Sequence, residues 1–338
     1  MSPIPNQELL RRLHKDYYGN NESPQDASVI SSFWKHYSDL FNVETDSRGD
    51  LISLSGVGFG TAKWTGLHHR VLEQLCILSH LTHLPNRRRI VQLLALARRA
   101  CNRLGFDLTL DIFRQVCSLE LLDRHIPDDM RNRRIRVLMI GDGYGVLSIL
   151  FKTLFPDSTL ALVDIGKTLL FQAYYCQKAF PGGVHIASDR VLNADEVDFV
   201  YCPAERLEEL DQITFDLAVN VVSMQEMNTG TIRKYFQFLR THMSQQNLFY
   251  CCNRESKTLI GGEVSEFRAY PWENGDCYLM DDACPWTTYF LRWGRAKNGP
   301  RVFGIPLPLA SFYDGKVVHR LVCLKQHPTL HQETREEI

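Results

Sequence analysis

Three glycines at alternate positions, Gly141, Gly143 and Gly145, follow the apolar run Val137-Leu-Met-Ile, and Asp164 closes the next apolar run, Thr159-Leu-Ala-Leu-Val. Glycine takes backbone angles that other residues refuse. This spacing therefore turns the chain sharply and lets a ligand approach the start of the following helix, where unpaired N–H groups face an acceptor. A carboxylate at the end of the neighbouring strand is placed to accept the two hydroxyls of a ribose. Strand, glycine turn, helix, strand and terminal acid together make a nucleotide-binding βαβ unit.

A dinucleotide site calls for G-x-G-x-x-G with its third glycine inside the helix, whereas this chain has G-x-G-x-G followed by Val146 and Leu147. The spacing resembles the first motif of class I S-adenosylmethionine (SAM) methyltransferases. Further segments narrow the match to bacterial sugar O-methyltransferases: Ile140-Gly-Asp-Gly-Tyr-Gly145, Leu169-Leu-Phe-Gln-Ala-Tyr-Tyr175, Ser223-Met-Gln-Glu-Met227 and Asn253-Arg-Glu-Ser-Lys257. The resemblance covers about residues 135–272 and is most specific in the glycine turn and at 223–227. It implies SAM as cofactor, held by Gly141, Asp142, Gly143, Tyr144, Gly145, Asp164 and Asn220, with Ala204 and Glu205 beside the adenine. The sequence departs from the family pattern at two places. Met139 stands where an acid often precedes the turn, which leaves Asp142 or backbone carbonyls to meet the methionine amino group, and Cys202-Pro203 replaces an acid near the adenine.

Methyl transfer from a sulfonium is an in-line displacement that needs acceptor oxygen, methyl and sulfur aligned and water excluded. A sugar hydroxyl is a poor nucleophile at neutral pH, so a base or a metal ion should assist it. Glu226 follows the fourth strand of the unit, where residues of such a sheet face the ligand crevice; it also stands where an acid would favour the start of the next helix. His68 and His69 are further candidate bases, with a packed or surface histidine as the plainer reading. Gln225 is a candidate substrate contact or a cap, as is Ser223, and Asn253, Arg254 and Lys257 are placed either to bind acidic groups of the acceptor or to form a solvated loop. No motif supports a metal site, although a divalent ion remains an alternative route to the same activation. The glycines at 56, 58 and 60 suit a surface loop or a cover over the acceptor, and Trp64 a core position or a sugar platform. Arg87, Arg88, Arg89, Arg98, Arg99 and Arg103 mix with leucines as a solvated helix face or, alternatively, an anion-binding or membrane-proximal surface.

These residues have to be positioned by alternating elements. Apolar runs at 197–202, 215–220 and 246–252 read as further strands and 168–180 as a helix, which predicts an α/β fold with a doubly wound parallel, Rossmann-like sheet. Residues 317–324 read as a late antiparallel strand, and 273–315 match no motif. Ahead of the basic stretch 131–136, the 3.6-residue period at 29–40, 65–81, 88–104 and 110–122 predicts helices, the third stopped by Gly105. The domain reading is a helical region over 1–132 that covers the acceptor side, a SAM domain over 133–330 and a frayed tail over 331–338. The cover is an expectation by analogy with the class.

With 338 residues and 44% hydrophobic content the chain can bury one large or two modest cores. A net charge of −1 gives no general attraction to nucleic acid, and no Asn-Pro-Pro-Tyr/Phe follows the fourth strand. Ten irregularly spaced cysteines without an N-terminal apolar signal fit reduced thiols and a cytoplasmic location, and argue against metal binding by cysteine. No apolar run approaches the roughly 20 residues that span a bilayer. The expected activity is SAM-dependent O-methylation of a saccharide or nucleotide-sugar. The alternatives are a SAM-fold module that binds without turnover and a small-molecule methyltransferase of secondary metabolism.

Overall fold

The structure is a computed structural model, and it describes residues 6–18, 31–37, 41–56, 66–191, 193–291, 299–313 and 315–327. The N-terminal part opens with α1 (Gln7–Tyr18) and α2 (Ser32–Tyr37), followed by an antiparallel hairpin of β1 (Phe41–Thr45) and β2 (Leu51–Gly56). Three longer helices follow, α3 (Leu67–His83), α4 (Arg87–Leu104) and α5 (Leu110–His125), then the short α6 (Asp128–Arg131). The described parts of the periodic segments are helical as expected, but the hairpin interrupts a region that the sequence presented as helical. Gly105 ends α4 in the left-handed conformation at φ 79°, and its N–H bonds to Cys101 O. Two side chains satisfy the start of α5: Thr109 Oγ1 accepts from Ile112 N, and Glu73 of α3 accepts from Leu110 N at 3.0 Å.

From β3 (Ile135–Ile140) onward the chain alternates: α7 (Val146–Leu154), β4 (Ser158–Asp164), α8 (Gly166–Ala179), β5 (His185–Ala187), β6 (Phe199–Pro203), β7 (Phe215–Val221), α9 (Thr229–His242) and β8 (Met243–Arg254). Beyond it lie the paired β9 (Ser256–Thr258) and β10 (Val264–Glu266), then β11 (Cys277–Ala283). Two small pairs follow, β12 (Tyr289–Leu291) with β15 (Ala310–Phe312) and β13 (Arg301–Val302) with β14 (Ile305–Pro306), and β16 (Val317–Cys323) closes the sheet. The main sheet has eight strands in the order β11-β16-β8-β7-β3-β4-β6-β5. Strands β5, β6, β4, β3, β7 and β8 run parallel, and β16 is antiparallel to β8 as expected. The outermost strand, β11, falls in the stretch that matched no motif.

Both faces of the sheet are covered, which is why its strands are apolar at every position rather than at alternate ones. Val137, Met139, Leu160 and Leu162 point to a core shared with α7, α8, α4 and α5. Leu138, Ile140, Ala161 and Val163 point the other way, to α9. The crossovers after β3 and after β7 thus leave on opposite faces and open a crevice at the carboxyl ends of these neighbouring strands, where a doubly wound sheet binds its ligand.

The N-terminal elements divide between two places. Helices α4 and α5 pack against α7 and α8 on one face. Residues 31–37 and the β1–β2 hairpin instead meet the loops at the carboxyl ends of the strands. Lys167, after β4, donates to Phe41 O at 3.1 Å; Tyr144, after β3, donates to Gly56 O at 3.2 Å; and Ser31 donates to Glu226 O, after β7. Residues 57–65, with the expected glycine loop and Trp64, and the tail 331–338 lie outside the described residues. No described helix is long and apolar enough to cross a membrane, and all ten cysteines are free thiols.

Candidate functional site

The glycine turn joins β3 to α7 with all three glycines at positive φ: 70° at Gly141, 55° at Gly143 and 74° at Gly145. Such angles are strained for any residue with a β-carbon, so the residue type and the path of the turn determine one another. Asp142, inside the turn, is engaged at the start of α7: its carboxylate accepts from Ser148 N at 2.7 Å, Ser148 Oγ at 2.6 Å and Leu147 N at 3.3 Å. Burial nevertheless pushes its pKa up to about 6. Asp142 thus serves as a helix-start acid, a role the expected cofactor contact did not include. Tyr144 is buried, stacks on Phe171 at 5.3 Å between centroids, and ties the turn to the hairpin through its hydroxyl.

Asp164, at the end of β4, accepts from Ile165 N at 2.8 Å and from Gln172 Nε2 at 2.5 Å. These bonds favour its charged form, but burial outweighs them and neighbouring Asp142 adds to the effect, so its pKa rises to about 7. The Gly143 N–H adds a further bond from the glycine turn that favours the charged form, and burial still prevails. Ala204 and Glu205 open the 3-10 segment Ala204–Leu210 directly after β6, beside Asp164 in the sheet order.

Asn220, Gln225 and Asn253 come together, but in one another's service. Asn220 Nδ2 donates to Ile140 O and to Ser223 Oγ, both at 2.9 Å, while its Oδ1 accepts from Met224 N and from Asn253 Nδ2. Both donors and both lone pairs are used, leaving no capacity for a ligand. Asn253 Oδ1 accepts from Gln225 N at 3.1 Å, and Gln225 Oε1 accepts from Arg254 N at 2.8 Å. All three amides are buried. At Asn220 the expected cofactor contact gives way to these bonds, and the three amides form a network that fixes the loops after β7 and β8 to the glycine turn.

Glu226 lies in the same loop, nearly buried, and its Oε1 accepts from Lys257 Nζ at 2.7 Å. Burial raises its pKa, and Lys257 opposes the rise. The start of α9 is capped by Asn228, whose side chain accepts from Thr231 N at 2.8 Å, so Glu226 is not needed there. Around the pair stand two rings: Lys257 Nζ is 4.2 Å from the Phe33 centroid, and the Arg254 guanidinium is 4.7 Å from that of Tyr313. Lys257, Phe33 and Tyr313 complete a cluster of carboxylate, cations and aromatic faces at the carboxyl ends of β7 and β8.

His68 and His69 stand elsewhere. They open α3, where His69 Nε2 is 3.8 Å from Glu73 Oε1, the acid that caps α5, and burial lowers the His69 pKa. Among the described residues, no group of three or more His, Cys, Asp or Glu side chains stands where it could hold a metal ion.

No protein-family model matches the chain, and no curated protein matches it. Among solved structures it is similar to TrmN from Thermus thermophilus, at 13% identity and a TM-score of 0.37, covering 62% of this chain and 48% of that one. It is also similar to coclaurine N-methyltransferase bound to N-methylheliamine and SAH, at 13% identity and a TM-score of 0.36, covering 52% and 51% of the two chains. The cyclopropane synthase MmaA2 from Mycobacterium tuberculosis gives 14% identity and a TM-score of 0.26, covering 36% and 37%. The chain thus spans about half the length of the first two proteins or less of the third. The fold stands on the strand order and register of the sheet, independently of these similarities.

Proposed function

We propose that the chain is a SAM-dependent O-methyltransferase acting on a hydroxyl of a sugar or glycoconjugate. The observation that carries this reading is the pairing of a turn with three positive-φ glycines and a buried Asp164 at the crevice between oppositely directed crossovers. These residues fit the cofactor: Gly141, Gly143 and Gly145 give the tight positive-φ turn that brings backbone to the crevice, with Gly141 and Gly145 packed against Ser223 and Gln172, and Asp164 calls for the donors that ribose hydroxyls provide. Ala204 and Glu205 border the base in this reading, and Asn220 holds the turn in place. SAM, when bound, supplies a methyl group on a positively charged sulfur.

Glu226 is the group assigned to the acceptor hydroxyl, as orienter or base. Its burial keeps it more basic than an exposed carboxylate, the direction that general-base catalysis near neutrality requires. Arg254, Lys257, Phe33 and Tyr313 surround it with the cations and ring faces that suit a polyhydroxylated acceptor, while residues 31–37 and 41–56 help to exclude water. One observation favours a second reading, a module that binds SAM without turnover: Glu226 is already engaged by Lys257. Incubation with radiolabelled SAM and a panel of saccharides separates the two. Label in a saccharide supports the transferase, whereas SAM binding with no transfer to any acceptor supports the module.

A further inference from the structure

Two polar atoms near Asp164 are buried without a hydrogen-bond partner, and they come from opposite faces of the sheet. The first is Gln172 Oε1, on α8. Its side chain is fully buried next to Gly145, where an added β-carbon would lie 3.5 Å from Gln172 Cα. The orientation of the amide is set by chemistry, because an ionised Asp164 accepts only from Nε2, and this leaves Oε1 as the acceptor with nothing to accept. The second is the hydroxyl of Tyr235, on α9, a residue 2% exposed. Tyr235 lines a groove of about 390 Å³ between α9 and residues 204–211, which runs from Ala204, Glu205 and Thr231 past Lys234 to Thr241. Its hydroxyl is near enough to Asp164, Cys202 and Glu205 that their charges add to burial in raising its pKa.

Buried polar groups in folded proteins are nearly always paired, and an orphan is expected where a ligand completes the pairing. Resting on the cofactor reading above, we infer that Gln172 and Tyr235 are two further ligand contacts that no motif marks. Gln172 Oε1 accepts the pentose hydroxyl that Asp164 does not take, and the Tyr235 hydroxyl bonds the polar edge of the base seated in the groove beside Ala204 and Glu205. A vicinal diol has two O–H donors. Asp164 and Gln172, held together by their own bond, present two acceptors side by side. A phenol both donates and accepts, so Tyr235 can meet either a ring nitrogen or an exocyclic amine.

The test measures calorimetric affinity for S-adenosylhomocysteine (SAH) and for its 2′-deoxy and 3′-deoxy analogues, together with ligand-free thermal melting. Wild type should prefer SAH over both analogues, by about 3- to 10-fold for the hydroxyl on the neutral Gln172 amide and by more than about 10-fold for the one on the Asp164 carboxylate. Gln172→Met should erase the preference for one hydroxyl and Asp164→Ala that for the other. Tyr235→Phe removes only an unpaired hydroxyl, so it should weaken SAH binding by about 3- to 10-fold while ligand-free melting stays the same or rises. A purely structural tyrosine would give the reverse, lowered melting with intact affinity, and that result overturns its assignment. Wild-type preference for only one of the two hydroxyls overturns the role of Gln172, even if Gln172→Met fails to fold. Binding that is lost in Asp164→Ala but intact in the other two variants overturns these contacts and leaves the cofactor reading standing. Absence of SAH binding by wild type overturns both.

Discussion

A β-carbon at Gly141 would lie 2.0 Å from Ser223 Oγ, so the glycine turn after β3 and the loop after β7 meet with no room for a side chain between them. Ser223 Oγ also donates to Ile140 O at 3.3 Å and accepts from Asn220. The turn that faces the ligand is thus held by a hydroxyl and an amide from the other side of the crevice.

Gly141→Ala combines that clash with a left-handed backbone, which alone costs a residue with a β-carbon about 1–2 kcal/mol. Urea unfolding should show at least this loss. Ser223→Gly added to Gly141→Ala should return part of it, because the clash goes while the strained angle stays. Strict additivity of the two substitutions would contradict the contact.

Asp164 couples ligand binding and stability to pH in opposite directions. With its pKa raised from an ordinary carboxylate value to about 7, the folded protein holds a proton between about pH 4 and 7 that the unfolded chain releases, so this group's contribution to stability falls as pH rises through that window. Asp164→Asn should therefore gain stability relative to wild type between pH 5 and pH 8, as read by paired thermal melts. SAH affinity in wild type should increase over the same rise, because the ionised carboxylate is the form that accepts from hydroxyls. Asp164→Ala should weaken SAH binding by roughly 1.5–3 kcal/mol, the scale of hydrogen bonds to a charged group.

Glu226→Gln should lower methyl transfer by about 10²- to 10⁴-fold with SAH affinity nearly unchanged, while melting falls because Lys257 loses its counter-charge. Asn228→Ala should cost about 1 kcal/mol of stability through the lost α9 cap while the chemistry persists. Wild-type turnover in Glu226→Gln would remove the base assignment. Treatment with EDTA tests a metal-assisted version, since unchanged activity eliminates it.

Asn220→Asp replaces two donors with a charged acceptor that faces Ile140 O and Ser223 Oγ. The buried conflict should cost about 2–3 kcal/mol, and SAH binding should weaken through the displaced turn rather than through a lost contact. Asn220→Asp with wild-type melting would show that the network does not hold the loops.

The parts legible in the sequence were those encoded locally. A run such as 137–140 reads as a strand, glycines at alternate positions read as a turn, and Asp164 falls where the run of β4 ends. The unread parts depend on partners far along the chain. Asn220, Gln225 and Asn253 look like ligand residues because they are polar and stand at strand ends; only the neighbouring strands β7 and β8 reveal that they satisfy one another. Gln172 carried a weak signal, a polar side chain in the apolar run Leu169–Ala173, whereas Tyr235 carried none. The hairpin β1–β2 was missed because its strands are half-exposed and short, and the side that packs is decided by Phe171 and Tyr144, far along the chain from Phe41 and Gly56.

The contacts of residues 31–37 and 41–56 set an order of events during biosynthesis. Ser31, Gly56 and Phe41 bond to residues 195, 88 and 126 positions further along. A ribosome that releases this segment first gives it nothing to dock on until β3, β4 and β7 have emerged and paired, because such distant contacts repay their loop-closure entropy only once the sheet exists. The piece made early is installed late, and the crevice acquires its roof as the final act of folding.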